Sequence, residues 1–115
     1  MIIEHESHCE AKPVTHPEAR DAAMKVLITP EHGWAGHVMR VVELEEGGCS
    51  PRHGHPWPHI NYVLEGVGVL FLNGAETPIQ PGSFAYVPDQ ADHQFRNTGK
   101  GKLRFICIVP EHGHF

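Results

Sequence analysis

The sequence predicts an all-β fold of the sandwich or barrel class. Three observations carry that reading: glycine and proline recur as punctuation, short β-prone runs fill the intervals between them, and an Asn-Gly pair stands at the end of one run. Twelve glycines and ten prolines include breaks at Gly47-Gly48, Gly66, Asn73-Gly74, Pro81-Gly82, Pro88 and Gly99-Lys100-Gly101. Each break supplies a conformation or a missing donor that a regular strand does not tolerate.

Taken in order, only 17–24 has helical composition, and it is short. Strands are expected at 24–29, 36–44, 59–64, 67–72, 83–87, 93–96 and 103–109, where β-branched, aromatic and long apolar residues cluster. The pair Asn73-Gly74 follows the fourth of these runs, and a type I′ hairpin turn needs positive φ at both central positions. Side chains alternate across a strand, so Leu103, Phe105 and Cys107 share one face and Arg104, Ile106 and Ile108 the other. By the same parity His93, Phe95 and Asn97 share a face, as do His59, Asn61 and Val63.

At 115 residues the chain has room for one domain with a real core and is short for two. It is 40% apolar and 20% charged, with no apolar run long enough to cross a membrane as a helix. No basic stretch followed by an apolar one opens the chain, so a cytoplasmic location is expected. A formal charge of −5 argues against nucleic acid and anionic membranes, both of which reward a clustered basic face. Cys9, Cys49 and Cys107 are odd in number and far apart, which makes neither a disulfide framework nor a cysteine-based zinc site.

Histidine is the anomaly: the chain has 11, against 9 lysines and arginines together. Four of them, His53, His55, His59 and His93, are spaced as one metal site. His53 and His55 share a face of an extended segment, Pro56-Trp57-Pro58 breaks that segment, and His59 rejoins from the next one. Neutral imidazoles converging in this way suit a transition metal. If they point into a barrel, Met39, Asn61, Phe95, Phe105 and Cys107 line the same cavity. Trp57 between two prolines is expected to stiffen the ligand loop, and Asn97 to bond backbone near a turn. His5-Glu6-Ser7-His8 is one residue short of the zincin spacing, and His112-Gly113-His114 follows Pro110 at the chain end, so both are read as terminal segments that offer at most a weak adventitious metal site.

These residues resemble the cupin superfamily. Its first motif falls on Gly47, His53, His55, His59 and Gly66 with every spacing kept, His59 standing where the family usually has glutamate. The second falls on Gly82, Pro88, Gln90, His93 and Asn97, with Gln90 in place of a glycine. The interval 67–81 has the short length of small microbial cupins. The resemblance implies a single cupin domain over 1–115, a double-stranded β-helix or jelly-roll barrel, with its motifs at 47–66 and 82–97. It is similar, more narrowly, to small manganese-binding bacterial cupins with four histidine ligands, which are typically dimers. That likeness makes His53, His55, His59 and His93 the ligands of one divalent metal, manganese first, with iron, nickel, copper or zinc also compatible with imidazole. Phe95, Phe105 and Cys107 then line the pocket, and Gln90 gives the loop before His93 a conformation of its own.

Four neutral ligands leave the metal its full charge, and an ion that prefers six ligands keeps positions open for a small molecule. An oxidoreductase of dioxygenase-like type, acting on a small organic substrate, is the expected function. A non-catalytic ligand-binding or sensing module is the alternative, and a sugar-type isomerase or epimerase a further one. A homodimer is expected, because β-prone segments between 26 and 44 leave edges to cover.

Overall fold

A computed structural model describes residues 1–114. Nine strands make up most of it: β1 (Lys12–Pro13), β2 (Arg20–Ile28), β3 (His37–Cys49), β4 (His59–Glu65), β5 (Gly68–Leu72), β6 (Ala75–Ile79), β7 (Phe84–Val87), β8 (His93–Asn97) and β9 (Leu103–Pro110). Every pairing between them is antiparallel, and the principal order is β6-β5-β8-β3-β9-β4-β7, with β2 on β3 and β1 on β2. Strand β3 sets the shape. Its first eight residues lie between β2 and β9, while its far end pairs with β8 through Cys49 and Arg96. The sheet therefore curls on itself as the jelly-roll barrel the motifs imply, and among the described residues no helix is long and apolar enough to cross a membrane.

The expected parity holds on the strands that matter. On β9 Leu103, Phe105, Cys107 and Val109 are buried and the residues between them are not; β8 and the first part of β4 alternate in the same way. The inward residues pack into one core that includes Val38, Val42, Leu44, Val63, Leu70, Phe95, Leu103 and Phe105. Burying a side chain of this size stabilises by roughly 1.5–3 kcal/mol, so the core is the main support of the barrel. Asn73 and Gly74 take φ of 47° and 86°, the paired positive values of the expected hairpin between β5 and β6.

Four local expectations need correction. Residues 17–24 form no helix; the chain is extended from Arg20, because pairing of β2 with β3 outweighs the alanine-rich composition. Gly47-Gly48 does not end β3. Gly47 takes φ of 75° inside the strand, and the register with β2 slips between Arg20 and Ala22, where Asp21 also has positive φ, so the expected break is a bulge. Strand β6 carries no strand signal in the sequence, because Ala75-Glu76-Thr77-Pro78 is polar and includes a proline. It is an edge strand, where a missing donor is tolerated. Finally, Gln90 does not change its loop: with φ of 65° it takes the left-handed conformation that a glycine would take there.

Asn97 closes the second motif as expected. It is buried, its Nδ2 donates to the carbonyls of Leu44 and Gly101, and its Oδ1 accepts from the Gly99 backbone.

Candidate metal centre

Three strands' worth of backbone bring the histidines together. His59 opens β4, His93 opens β8, and the segment carrying His53 and His55 is held against β8 by a bridge in which His53 and His93 exchange backbone hydrogen bonds of 3.2 and 3.3 Å. Gln90 donates from its backbone to the His55 carbonyl at 2.7 Å, which ties the two motifs a second time. Gly54 permits that approach: a Cβ there would sit 2.8 Å from the Gln90 carbonyl oxygen.

His55, His59 and His93 converge so that one ring nitrogen from each lies within 4.8 Å of the other two. Their side chains are buried, at 9%, 6% and 5% exposure, which isolates the cluster from bulk water. His53 stands beside them, its ring centroid 5.0 Å from that of His55 and 5.5 Å from that of His93, and falls outside the tight set.

Each imidazole has its outer nitrogen fixed. Nδ1 of His53, His55 and His93 faces the carbonyl oxygen of Pro51, Trp57 and Ala91 at 3.2, 2.8 and 2.9 Å, so in each case Nδ1 must carry the proton and donate. Nδ1 of His59 lies 2.7 Å from Asn61 Oδ1, whose amide nitrogen donates to the Ile106 carbonyl, and so it donates as well. All four Nε2 atoms are thereby left as lone-pair donors, the arrangement in which outer partners orient metal-binding histidines.

The consequence is sharpest between His59 and His93, whose Nε2 atoms lie 3.1 Å apart. Two lone pairs at that distance repel unless a cation sits with them. Two nitrogens bound at right angles, each about 2.1 Å from one ion, stand about 3 Å apart. The donor set fits a divalent transition metal.

The protonation states agree. Burial pushes the His55 and His93 imidazoles down to about 4, helped by the neighbouring histidines, and burial also lowers His59, with Arg40 adding to the effect. All three are neutral near pH 7, the form that binds metal.

The cluster opens on a cavity of about 270 Å³ lined by Asn61, Phe95, Phe105 and Cys107 together with all four histidines. Phe95 and Phe105 stack at 4.1 Å and form its apolar wall. Met39 is not in the lining. It has the wrong parity on β3, where Arg40 and Val42 point inward. Arg40 is the residue that sequence reasoning missed. The alternation Val38, Arg40, Val42, Leu44 marks it as inward, but Met39 and Val41 make the run apolar on both faces and hide the pattern. The lining also includes Val14, Thr15 and His16, whose ring stacks on His53 at 5.8 Å.

Nor is the C-terminal segment a loose tail. The Glu111 backbone donates to the Gly36 carbonyl, Gly113 lies buried against the Trp57 indole, and the His114 ring reaches Arg40. Trp57 itself stacks on His55, a candidate ligand, at 4.4 Å and 9°. The lining has no carboxylate and no lysine among the described residues.

An antiparallel barrel with a cluster of buried imidazoles defines a class, and comparison with known proteins gives the family. The cupin domain family matches residues 40–109, and the chain belongs to it. The polyketide cyclase RemF from Streptomyces resistomycificus superposes with a TM-score of 0.89 at 29% identity, over 96% of this chain and 80% of that one. An oxalate-binding protein from Thermotoga maritima is 30% identical over 69 residues, which is 59% of this chain and 57% of the relative's length. Protein SchB from Streptomyces halstedii is 27% identical over 103 residues, 83% of this chain and 75% of that protein. The chain thus spans little more than half of the Thermotoga protein.

Proposed function

We propose that the chain is a metal-dependent enzyme in which His55, His59 and His93, with His53 as fourth ligand, hold one divalent transition metal and act on a small organic molecule with oxygen donors. The single observation that carries this reading is the buried set of three imidazoles that each bring a ring nitrogen within 4.8 Å of the other two, in the lining of a largely apolar cavity. Manganese is the first candidate on the four-histidine resemblance; iron, nickel, copper and zinc accept the same nitrogens.

A bound metal of this kind supplies Lewis-acid polarisation of a carbonyl or enol oxygen. The chain's own residues do the rest. Pro51, Trp57, Ala91 and Asn61 hold the imidazoles in the ligating tautomer. Phe95, Phe105 and Val42 exclude water from the substrate's apolar body and favour one orientation of it. Without a carboxylate or lysine in the lining, a proton leaving the substrate must pass to an imidazole or to water. That lining suits carbonyl activation of the cyclase kind better than the acid and base pair a sugar isomerase needs, and the similarity to RemF supports it.

The dioxygenase-like reading is the second. Its support is the neutral nitrogen donor set beside an aromatic, water-poor cavity, which suits redox-active iron or manganese. One experiment separates the two: protein loaded with Mn(II) or Fe(II) is offered a panel of small phenols and β-dicarbonyl compounds while oxygen uptake and product mass are followed together. Cyclised or dehydrated products without oxygen uptake support the first reading, and products gaining oxygen atoms as oxygen is consumed support the second. A ligand retained tightly without turnover would sink both in favour of a binding or sensing module.

The homodimer and the cytoplasmic location belong to the same proposal. In support of the dimer, β2 carries only the two-residue β1 on its outer side, and Ile60, Tyr62, Leu64, Phe84 and Tyr86 form an exposed apolar face on β4 and β7. A monomer by light scattering at micromolar concentration would overturn it. Three unpaired cysteines support the cytoplasm.

A further inference from the structure

Among the described residues Arg40 is the one lysine or arginine in a cavity otherwise lined by apolar residues, imidazoles and neutral polar groups. It sits in a row across three strands: Arg40 on β3 pairs in register with Cys107 on β9, which pairs with Asn61 on β4, and Asn61 holds His59. The guanidinium and the imidazole cluster therefore face one space. Adjacent strands are about 4.8 Å apart, so a molecule roughly two strands wide reaches both.

The guanidinium has five N–H donors. Nη2 donates to the Cys107 sulfur at 3.1 Å, and Nη1 lies 3.4 Å from Nδ1 of His114. A thiol sulfur is a weak acceptor, and the imidazole contact is long. Nε is shielded and has no hydrogen-bond partner. Every other buried or half-buried Asp, Glu, Lys or Arg among the described residues has an opposite charge: Glu43 is shared by Arg104, Lys25 and Lys102, Arg104 also pairs with Glu6 and Glu65, Asp92 pairs with Arg52 and Arg96 with Glu76. Among the described residues Arg40 has no carboxylate at all. A half-buried guanidinium without a counter-charge is costly unless something else supplies one.

We propose that Arg40 is a specificity-determining residue that binds the carboxylate of a small organic acid, whose apolar body lies against Phe95 and Phe105 and whose second oxygen donor faces the imidazole cluster. The substrate class is thus an oxygen-substituted aromatic or unsaturated monocarboxylic acid. A cavity of about 270 Å³ lies just below the usual range for ligand pockets, roughly 300–1,000 Å³, and suits a single ring better than a fused polycycle. A carboxylate fits a guanidinium edge with two parallel hydrogen bonds, and the weak contacts to Cys107 and His114 are the ones it displaces. This proposal rests on the metal-enzyme reading for its second anchor, and on Arg40 alone for its first.

Salicylate is the probe, with the uncharged salicylamide of nearly the same shape beside it and phenyl phosphate as the alternative anion. Binding is measured by calorimetry on metal-loaded and metal-free wild type, Arg40→Gln and Arg40→Lys, with metal content recorded for each. Wild type is expected to prefer salicylate over salicylamide by about 10- to 100-fold, the range of a charge-assisted hydrogen bond. Arg40→Gln should abolish that preference at unchanged metal content, and Arg40→Lys should recover part of it. An equal preference in wild type and Arg40→Gln places the carboxylate elsewhere and overturns the proposal, as does tighter binding of phenyl phosphate than of salicylate. Should wild type take up no metal yet keep an Arg40-dependent preference, the metal reading fails and the role of Arg40 stands. A loaded metal with no such preference does the opposite: the metal centre stands and the role of Arg40 falls.

Discussion

Gly54 lies between two candidate ligands and shows how closely the motif loops must approach. It lacks a positive φ, so alanine suits its backbone and the substitution Gly54→Ala adds one methyl group and nothing else. That methyl would meet the Gln90 carbonyl oxygen at 2.8 Å and its carbon at 3.2 Å, and 3.4 Å is where ordinary contact begins. The backbone at Gln90 must retreat by about 0.6 Å. It is also the backbone that donates to the His55 carbonyl at 2.7 Å and leads directly into His93. Overpacking of this kind costs about 1–3 kcal/mol, and a strained or lost hydrogen bond about 1 kcal/mol more. A total of about 2–4 kcal/mol lowers the melting temperature by roughly 10–20 °C for a domain of this size. Metal affinity should weaken by about tenfold or more, because positioning the ligands matters on that scale. Thermal unfolding of the metal-free protein and a metal titration with a competing chelator read the two effects separately. A variant that melts with the wild type and binds metal as tightly would refute the claim that this contact sets the spacing of the site.

The converse substitution, Gln90→Gly, removes a side chain from the left-handed region and should raise stability by up to about 1 kcal/mol after the flexibility of glycine is counted, a small upward shift in a urea midpoint. Glu43→Gln takes the shared carboxylate from Arg104, Lys25 and Lys102 and should cost about 1–3 kcal/mol in the same assay without altering metal content. Because the folded-state values of His55 and His93 are lowered from 6.5 to about 4, the unfolded chain binds more protons between those values. In the metal-free protein the contribution of these two groups to stability is therefore present above about pH 6.5 and is lost as the pH falls toward 4. Chemical unfolding of the metal-free protein across that window checks the sign; stability that rises on acidification would contradict it.

The fold and the histidine cluster are legible in the sequence for the same reason: both are written in spacing. Turn residues at Asn73-Gly74 and the period-two burial of β4, β8 and β9 do not depend on distant partners; His59 opens β4 and His93 opens β8, while His53 and His55 lie on the segment bridged to β8. What stays hidden depends on partners. Residues 20–24 have a helix-compatible composition and become a strand only because β3 pairs with them. Arg40 lies in a run that is apolar on both faces, so parity alone cannot select it over Met39 without its register against Cys107. His16 and the Gly113 contact with Trp57 reach the cavity from segments near the ends of the chain, where local sequence has no periodic signal. Gln90 shows the opposite case. A departure from glycine suggests a change of conformation, whereas the surrounding loop imposes positive φ on the glutamine all the same.

The metal centre requires that His55, His59 and His93 bind one ion with His53 beside them. Elemental analysis of untagged protein tests this most directly, wild type alongside His59→Ala, His93→Ala and the double variant His112→Ala with His114→Ala. Close to one metal per chain is predicted in the wild type and the C-terminal variant, with loss of that metal in both His59→Ala and His93→Ala. Metal that survives those two substitutions and disappears with His112 and His114 would put the ion at the chain end and contradict the assignment.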